Sequence, residues 1–270
     1  MKAAISQVAS TLERICEAVR AVAADEVMPR YLKVARQRKS DGSLFTEADL
    51  AAQDKLSHLL PAIVAAPVIG EEMPRELQEE RWLAGEDGLW CVDPIDGTSN
   101  FVNGLPYFAL SVALMRQGRS VMGVVYDPVA DEMFSAERGA GSFLNGERLP
   151  IKQTAKKLGH AMAEVDFKRL SPSLGQALAA SPPYASQRNF GASTLEWCYV
   201  AAGRFDVYLH GGQKLWDYAA GSLILEEAGG LMCSLDHDDF GADDLWKRSV
   251  VAAVDPGLFE IWKHWVRTHM

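Results

Sequence analysis

The run CVDPIDGTSNF, residues 91–101, constrains this chain more than any other stretch. An apolar strand pattern over 89–92 ends in two aspartates, Asp93 and Asp96, split by Pro94-Ile95 and followed at once by Gly97-Thr98. Proline lacks an N–H and has a fixed φ, so Pro94 is expected to stop the strand ladder after Asp93. The turn it enforces would leave the Ile95 carbonyl unpaired and aim both carboxylates at one cavity. Hard cations such as Mg²⁺ take such oxygens. Gly97-Thr98 reads as the start of a helix, whose free N–H groups favour a phosphate. The alternative is that Asp-Pro and Asp-Gly are turn formers and nothing more.

Composition narrows the function classes. With 270 residues and 48% hydrophobic content, the chain can bury a sizeable core as one large unit or two smaller ones. A net charge of -9, from 27 basic and 36 acidic residues, argues against a nucleic-acid partner, because phosphate backbones are held by clustered Lys and Arg. Cys16, Cys91, Cys198 and Cys233 form no C-x-x-C pair and have no His at zinc spacing, so reduced thiols in the cytoplasm are expected. Polar residues from Gln7 to Arg14 interrupt any secretory leader. The apolar run 59–70 holds Pro61 and Pro67 and is too short to span a bilayer, so no membrane partner is expected.

Helical spacing recurs over 5–22 and 46–63, separated by a turn at 38–44. Strands are expected at 68–69, 107–115, 120–126 and 132–136, the last three as an antiparallel meander, with a hairpin turn at Asn145-Gly146. The character changes near residue 151. A strand at 161–167, a Pro- and Ser-rich stretch at 171–186, a helix over 193–202 and strands at 205–209 and 249–254 follow, and a helix after Trp216 is stopped by Gly229-Gly230.

Three further motifs carry carboxylates. Gly70-Glu71-Glu72 puts acids on a corner after a buried strand, and alone would pass for a solvated loop. Thr46-Glu47-Ala48-Asp49 fits a capping box. Trp216-Asp217 fits a helix N-cap. In the order TEAD, GEE, DPIDGTSNF, WDYAAGSLILEEAGG, they are far more specific. This order resembles the inositol monophosphatase family, the Mg²⁺-dependent, lithium-sensitive sugar-phosphate phosphatases, and the resemblance is thinnest at about 151–187.

The resemblance implies an α/β fold, a layered αβαβα sandwich, usually as a homodimer. It implies an N-terminal α+β half, 1–150, with most metal ligands and a C-terminal α/β half, 151–270, packed as one unit. Two or three Mg²⁺ ions would be held by Glu71, Asp93, the Ile95 carbonyl, Asp96 and Asp217. Asp49 and Thr98 would activate the attacking water, with Glu71 beside them in the catalytic set. Gly97 and Thr98 would bind phosphate, and Gly191, Ser193, His210 and Asp217 would meet the substrate. The activity implied is hydrolysis of a small phosphorylated metabolite such as inositol monophosphate, without a covalent phosphoenzyme.

One departure bears on the substrate. Where inositol monophosphatases usually carry a glutamate that contacts ring hydroxyls, this chain has His210. Lys168, Arg169 and Lys214 would welcome a second anionic group if they edge the pocket, as in fructose 1,6-bisphosphate or 3'-phosphoadenosine 5'-phosphate. Histidinol phosphate is a further alternative. A metal-binding regulatory or scaffold protein with little catalysis is the alternative of another class. The run 236–239 is expected to be a solvated turn and the tryptophans packing anchors.

Overall fold

A computed structural model describes residues 9–33, 37–38 and 44–270. Residues 5–8 of the expected opening helix and most of the turn expected at 38–44 lie outside the described residues. The first half contains α1 (Thr11–Val22), a π turn (Ala23–Val27), the paired short strands β1 (Gln37–Arg38) and β2 (Leu44–Phe45), α2 (Glu47–Ile63), β3 (Val68–Gly70) and α3 (Arg75–Ala84). It continues with β4 (Leu89–Asp96), α4 (Thr98–Asn103), β5 (Ala109–Arg116), β6 (Arg119–Asp127), β7 (Glu132–Glu137), β8 (Gly141–Leu144) and β9 (Glu147–Arg148). The second half adds β10 (Met162–Asp166), α5 (Pro172–Ala180), β11 (Ser186–Arg188), α6 (Ser193–Ala201) and β12 (Val207–Gln213). It closes with α7 (Leu215–Glu227), β13 (Leu231–Cys233), β14 (Arg248–Ala253) and α8 (Pro256–Thr268).

Two sheets result. The larger has seven strands in the order β3-β4-β5-β6-β7-β8-β9, antiparallel except for the β3–β4 pair. The smaller has five, β11-β10-β12-β14-β13, parallel across β11, β10 and β12. On the outer face of the larger sheet, Ile15 and Val19 of α1 and Leu56 and Leu60 of α2 share a core with Val92, Leu110 and Val124. Helices α6 and α7 fill the space between the sheets, where Trp197, Leu223 and Ile224 join Cys91, Ala113 and Val125 on one side and Tyr208 and Val250 on the other. Because α7 packs against both layers it is apolar on nearly every face. Leu174 of α5 and Trp262 and Val266 of α8 cover the far face of the smaller sheet against Val165, Leu209 and Val251. Each such large apolar side chain stabilises the fold by about 1.5–3 kcal/mol. The layers read αβαβα, as expected.

Three local outcomes differ from the sequence reading. Pro94 does not stop the ladder. Strand β4 runs through it and shifts register between Asp93, paired with Ser111, and Asp96, paired with Ala109, so an irregularity absorbs the missing N–H. The Pro- and Ser-rich stretch contains a helix, α5, because Ser171 caps it and Pro172 occupies its first turn, where no N–H is needed. The C-terminal α8, unread from sequence, starts the same way at Asp255-Pro256. Among the described residues no helix is long and apolar enough to cross a membrane, and all four cysteines are free.

Candidate active site

The register shift in β4 and the first turn of α7 bring three carboxylates together. One oxygen each of Asp93, Asp96 and Asp217 lie within 4.8 Å of one another. Each is placed differently. Asp96 Oδ2 accepts from the Thr194 amide at 2.6 Å and the Thr194 hydroxyl at 2.7 Å, at the start of α6. Asp217 is not the N-cap of α7, as its sequence context suggested, because Lys214 takes that position. Asp217 Oδ2 reaches back to accept from the Lys214 amide at 2.8 Å. Asp93 is only 1% exposed, and its Oδ1 is buried with no hydrogen-bond partner among the described residues.

Burial first, and then mutual repulsion, makes this cluster costly to ionise. Asp93 and Asp217 are pushed well above the usual carboxylate range by burial, then by neighbouring acids that include Glu71 and Asp96. Asp96 is pushed up to about 6 by burial, and the Thr194 hydrogen bonds partly offset this. A fold that holds three acids together, one with an orphaned buried oxygen, has an all-oxygen donor set suited to hard divalent cations.

Asp49 makes contacts with each of its two oxygens. Its Oδ2 closes the capping box of α2, accepting from the Thr46 amide and the Thr46 hydroxyl, each at 2.7 Å. Its Oδ1 lies 3.4 Å from the Thr98 hydroxyl, whose oxygen is also 3.0 Å from the Ile95 carbonyl. The Ile95 carbonyl, expected to be unpaired, thus competes with Asp49 for the single Thr98 hydrogen and is free whenever Asp49 takes it. Burial raises Asp49 to about 6. Between strand and helix, Gly97 caps α4 at φ 87°, where an added Cβ would sit 3.0 Å from Ala192 Cβ and 3.1 Å from the Tyr107 carbonyl. Only glycine fits there.

A single cavity of about 480 Å³ is lined by Glu71, Asp93, Ile95, Asp96, Gly97, Thr98, Gly191, Ser193, His210 and Asp217, with Asp49 behind Thr98. Lys168 and Arg169 also line it, whereas Lys214 does not. The Gly191 amide is already used, donating to Glu196 Oε1 at 3.0 Å. Two residues that sequence reasoning missed belong here. Thr194 fixes Asp96, and it was legible only as the last residue of the run Gly191-Ala192-Ser193-Thr194 at a helix start. Asp166 lines the cavity beside His210, with no motif to mark it.

The layered fold and the acid-lined cavity suit a hydrolase that works with divalent cations. Comparison with known proteins makes this specific: the chain belongs to the inositol monophosphatase family, whose profile matches residues 4–265. It is 38% identical over 221 residues to an inositol-1-monophosphatase of Mesorhizobium japonicum, covering 79% of each chain. It is 35% identical over 233 residues to a Nus factor SuhB of Pseudomonas aeruginosa, covering 83% of each. Its fold superposes on a Thermotoga maritima IMPase with a TM-score of 0.80 at 27% identity, over 94% of this chain and 95% of the other.

Proposed function

We propose that the protein is a Mg²⁺-dependent phosphomonoesterase acting on a small phosphorylated metabolite such as inositol monophosphate. The observation that carries this is the trio Asp93, Asp96 and Asp217, converging within 4.8 Å with Asp93 Oδ1 left without a hydrogen-bond partner among the described residues. Together with Glu71 and the Ile95 carbonyl they would hold two or three Mg²⁺ ions, which when bound offset the carboxylate repulsion and polarise phosphoryl oxygens.

The chain's own groups then have distinct tasks. The Thr98 hydroxyl has one hydrogen and two acceptors in reach, Ile95 O and Asp49 Oδ1. Given to Asp49, that hydrogen leaves the Thr98 lone pairs to accept from a water, and a proton can pass from water through Thr98 to Asp49. Asp49, raised to about 6 in the metal-free protein, is a stronger base than an ordinary aspartate. The amides of Gly97 and Thr98 receive the phosphate. The homodimer, the cytoplasmic setting and lithium sensitivity expected from sequence belong to this same reading.

The test is phosphate release from a panel of inositol, fructose, histidinol and adenosine phosphates, with Mg²⁺ or with a chelator. Metal-dependent turnover of at least one compound is expected. A relative at 35% identity is named a Nus factor; no turnover of any compound would move the reading to the regulatory alternative.

A further inference from the structure

The cavity is also lined by Asp166, His210 and Arg169, which the chemistry above leaves unused. Asp166 ends β10 and lies in register with His210 on β12. Their side chains meet, with His210 Nε2 3.1 Å from Asp166 Oδ2. The direction of that contact is set on the other side of the ring, where the Gly212 amide donates to Nδ1 at 3.1 Å. A nitrogen that accepts carries no hydrogen, so the neutral ring has its hydrogen on Nε2 and donates it to Asp166. The ring is 3% exposed, and burial favours the neutral form. Both ring nitrogens are thus occupied within the protein, and His210 has no hydrogen bond left to offer a substrate. Arg169 Nη1, 3.4 Å from Nε2, cannot donate to a nitrogen that already bears hydrogen.

Asp166 is in the opposite position. Its side chain keeps 16% exposure at the cavity wall. Its Oδ1 accepts from the Lys168 amide at 2.7 Å and its Oδ2 from His210. A carboxylate offers about four lone-pair sites, so acceptor capacity remains on both oxygens. Burial would raise this carboxyl, but the hydrogen bonds from His210 and the Lys168 amide, with the Arg169 charge nearby, bring it below its ordinary range, so it stays ionised and acceptor-only. The backbone holds the pair in place. Strand β12 shifts register between His210 and Gln213, and a Cβ on Gly211 would collide with the Arg169 carbonyl, so the 3₁₀ turn Phe167–Arg169 lies directly on that bulge.

We propose that Asp166 is the hydroxyl acceptor by which this site selects a polyol phosphate, and that His210 is its positioning residue. This rests on the phosphatase reading above and deepens it.

The experiment compares myo-inositol 1-phosphate with cyclohexyl phosphate, the same ring without hydroxyls, as substrates in Mg²⁺. Asp166→Asn replaces one of the two accepting oxygens by an NH₂ donor at nearly constant shape. It is expected to raise KM for inositol 1-phosphate about tenfold, to leave kcat within about twofold, and to leave KM for cyclohexyl phosphate unchanged. His210→Ala should follow the same pattern. His210→Gln, which keeps an N–H near the Nε2 position, should return KM to within about threefold of the parent. A parental KM for inositol 1-phosphate in Asp166→Asn, or an equal rise for both compounds, overturns the proposal while leaving the phosphatase reading intact. A parent that hydrolyses neither compound but turns over another phosphate of the panel overturns this proposal and leaves the phosphatase reading intact, whereas one that turns over nothing in the panel overturns both.

Discussion

Asp96→Asn is expected to lower kcat/KM by on the order of 10³-fold or more while leaving the fold intact. Thr194 presents two donors to Asp96 Oδ2, at 2.6 and 2.7 Å. An asparagine can satisfy both only by turning its amide oxygen toward them. Its NH₂ then faces the space shared with Asp93 and Asp217, a pair of hydrogens where cations need oxygen. The loss comes from ion binding and charge stabilisation, worth several kcal/mol, at about 1.4 kcal/mol per tenfold in rate. Stability should not fall with it, because one member of a repelling cluster has been neutralised. Steady-state kinetics at saturating Mg²⁺, with melting curves of the same samples, read both effects. A rate within tenfold of the parent would remove Asp96 from the metal site.

The second large effect is at Asp49. Asp49→Asn can keep its oxygen toward the Thr46 amide and hydroxyl, so the α2 cap survives, but it then turns NH₂ toward Thr98 in place of the accepting Oδ1. A fall in kcat of about 10²–10⁴ with little change in KM is expected, the range for removal of a general base. Asp49→Ala should show the same loss of rate and in addition about 1 kcal/mol of lost stability from the missing cap. Thr98→Ser keeps the hydroxyl and should stay near the parent, whereas Thr98→Ala should approach Asp49→Asn. If Asp49→Asn turned over substrate at the parental rate, Asp49 would be a capping residue only.

The two largest effects fall on residues whose motifs were readable in advance, and the reason is physical. Metal and water chemistry needs particular atoms at short range, and Asp-Pro-Ile-Asp-Gly-Thr supplies several of them in one turn of chain. The meander strands β5, β6 and β7 were equally plain, since tight turns separate apolar runs. Helices α5 and α8 were less so: Ser171-Pro172 and Asp255-Pro256 are both proper start signals, but the stretch at 171–186 was marked only by its Pro and Ser content and the residues after 254 were assigned no element. The ladder through Pro94 was misjudged for a related reason: a proline's missing N–H is tolerated where a register shift leaves that position unpaired. The pairing of Asp166 with His210 could not be read at all. It depends on parallel register between β10 and β12, strands separated in the chain by α5, β11 and α6.

If Asp93, Asp96 and Asp217 are held together for a cation, the metal-free protein should bear the strain of their repulsion. Asp49 and Asp96 each rise from an ordinary 3.8 to about 6, mainly through burial. A carboxyl whose folded value exceeds its unfolded one stabilises the fold below the unfolded value and loses that contribution as pH rises through the folded one. Metal-free stability should therefore decline from about pH 4 to beyond about pH 6, and Mg²⁺ should restore it most at the alkaline end. The measurement is the melting temperature of parent and Asp96→Asn with Mg²⁺ and with chelator at pH 5 and pH 8. A Mg²⁺-dependent rise in the parent, larger at pH 8 and largely absent from Asp96→Asn, is the expected result. A parent indifferent to Mg²⁺ at pH 8, or a variant that responds as strongly, would contradict the metal site itself.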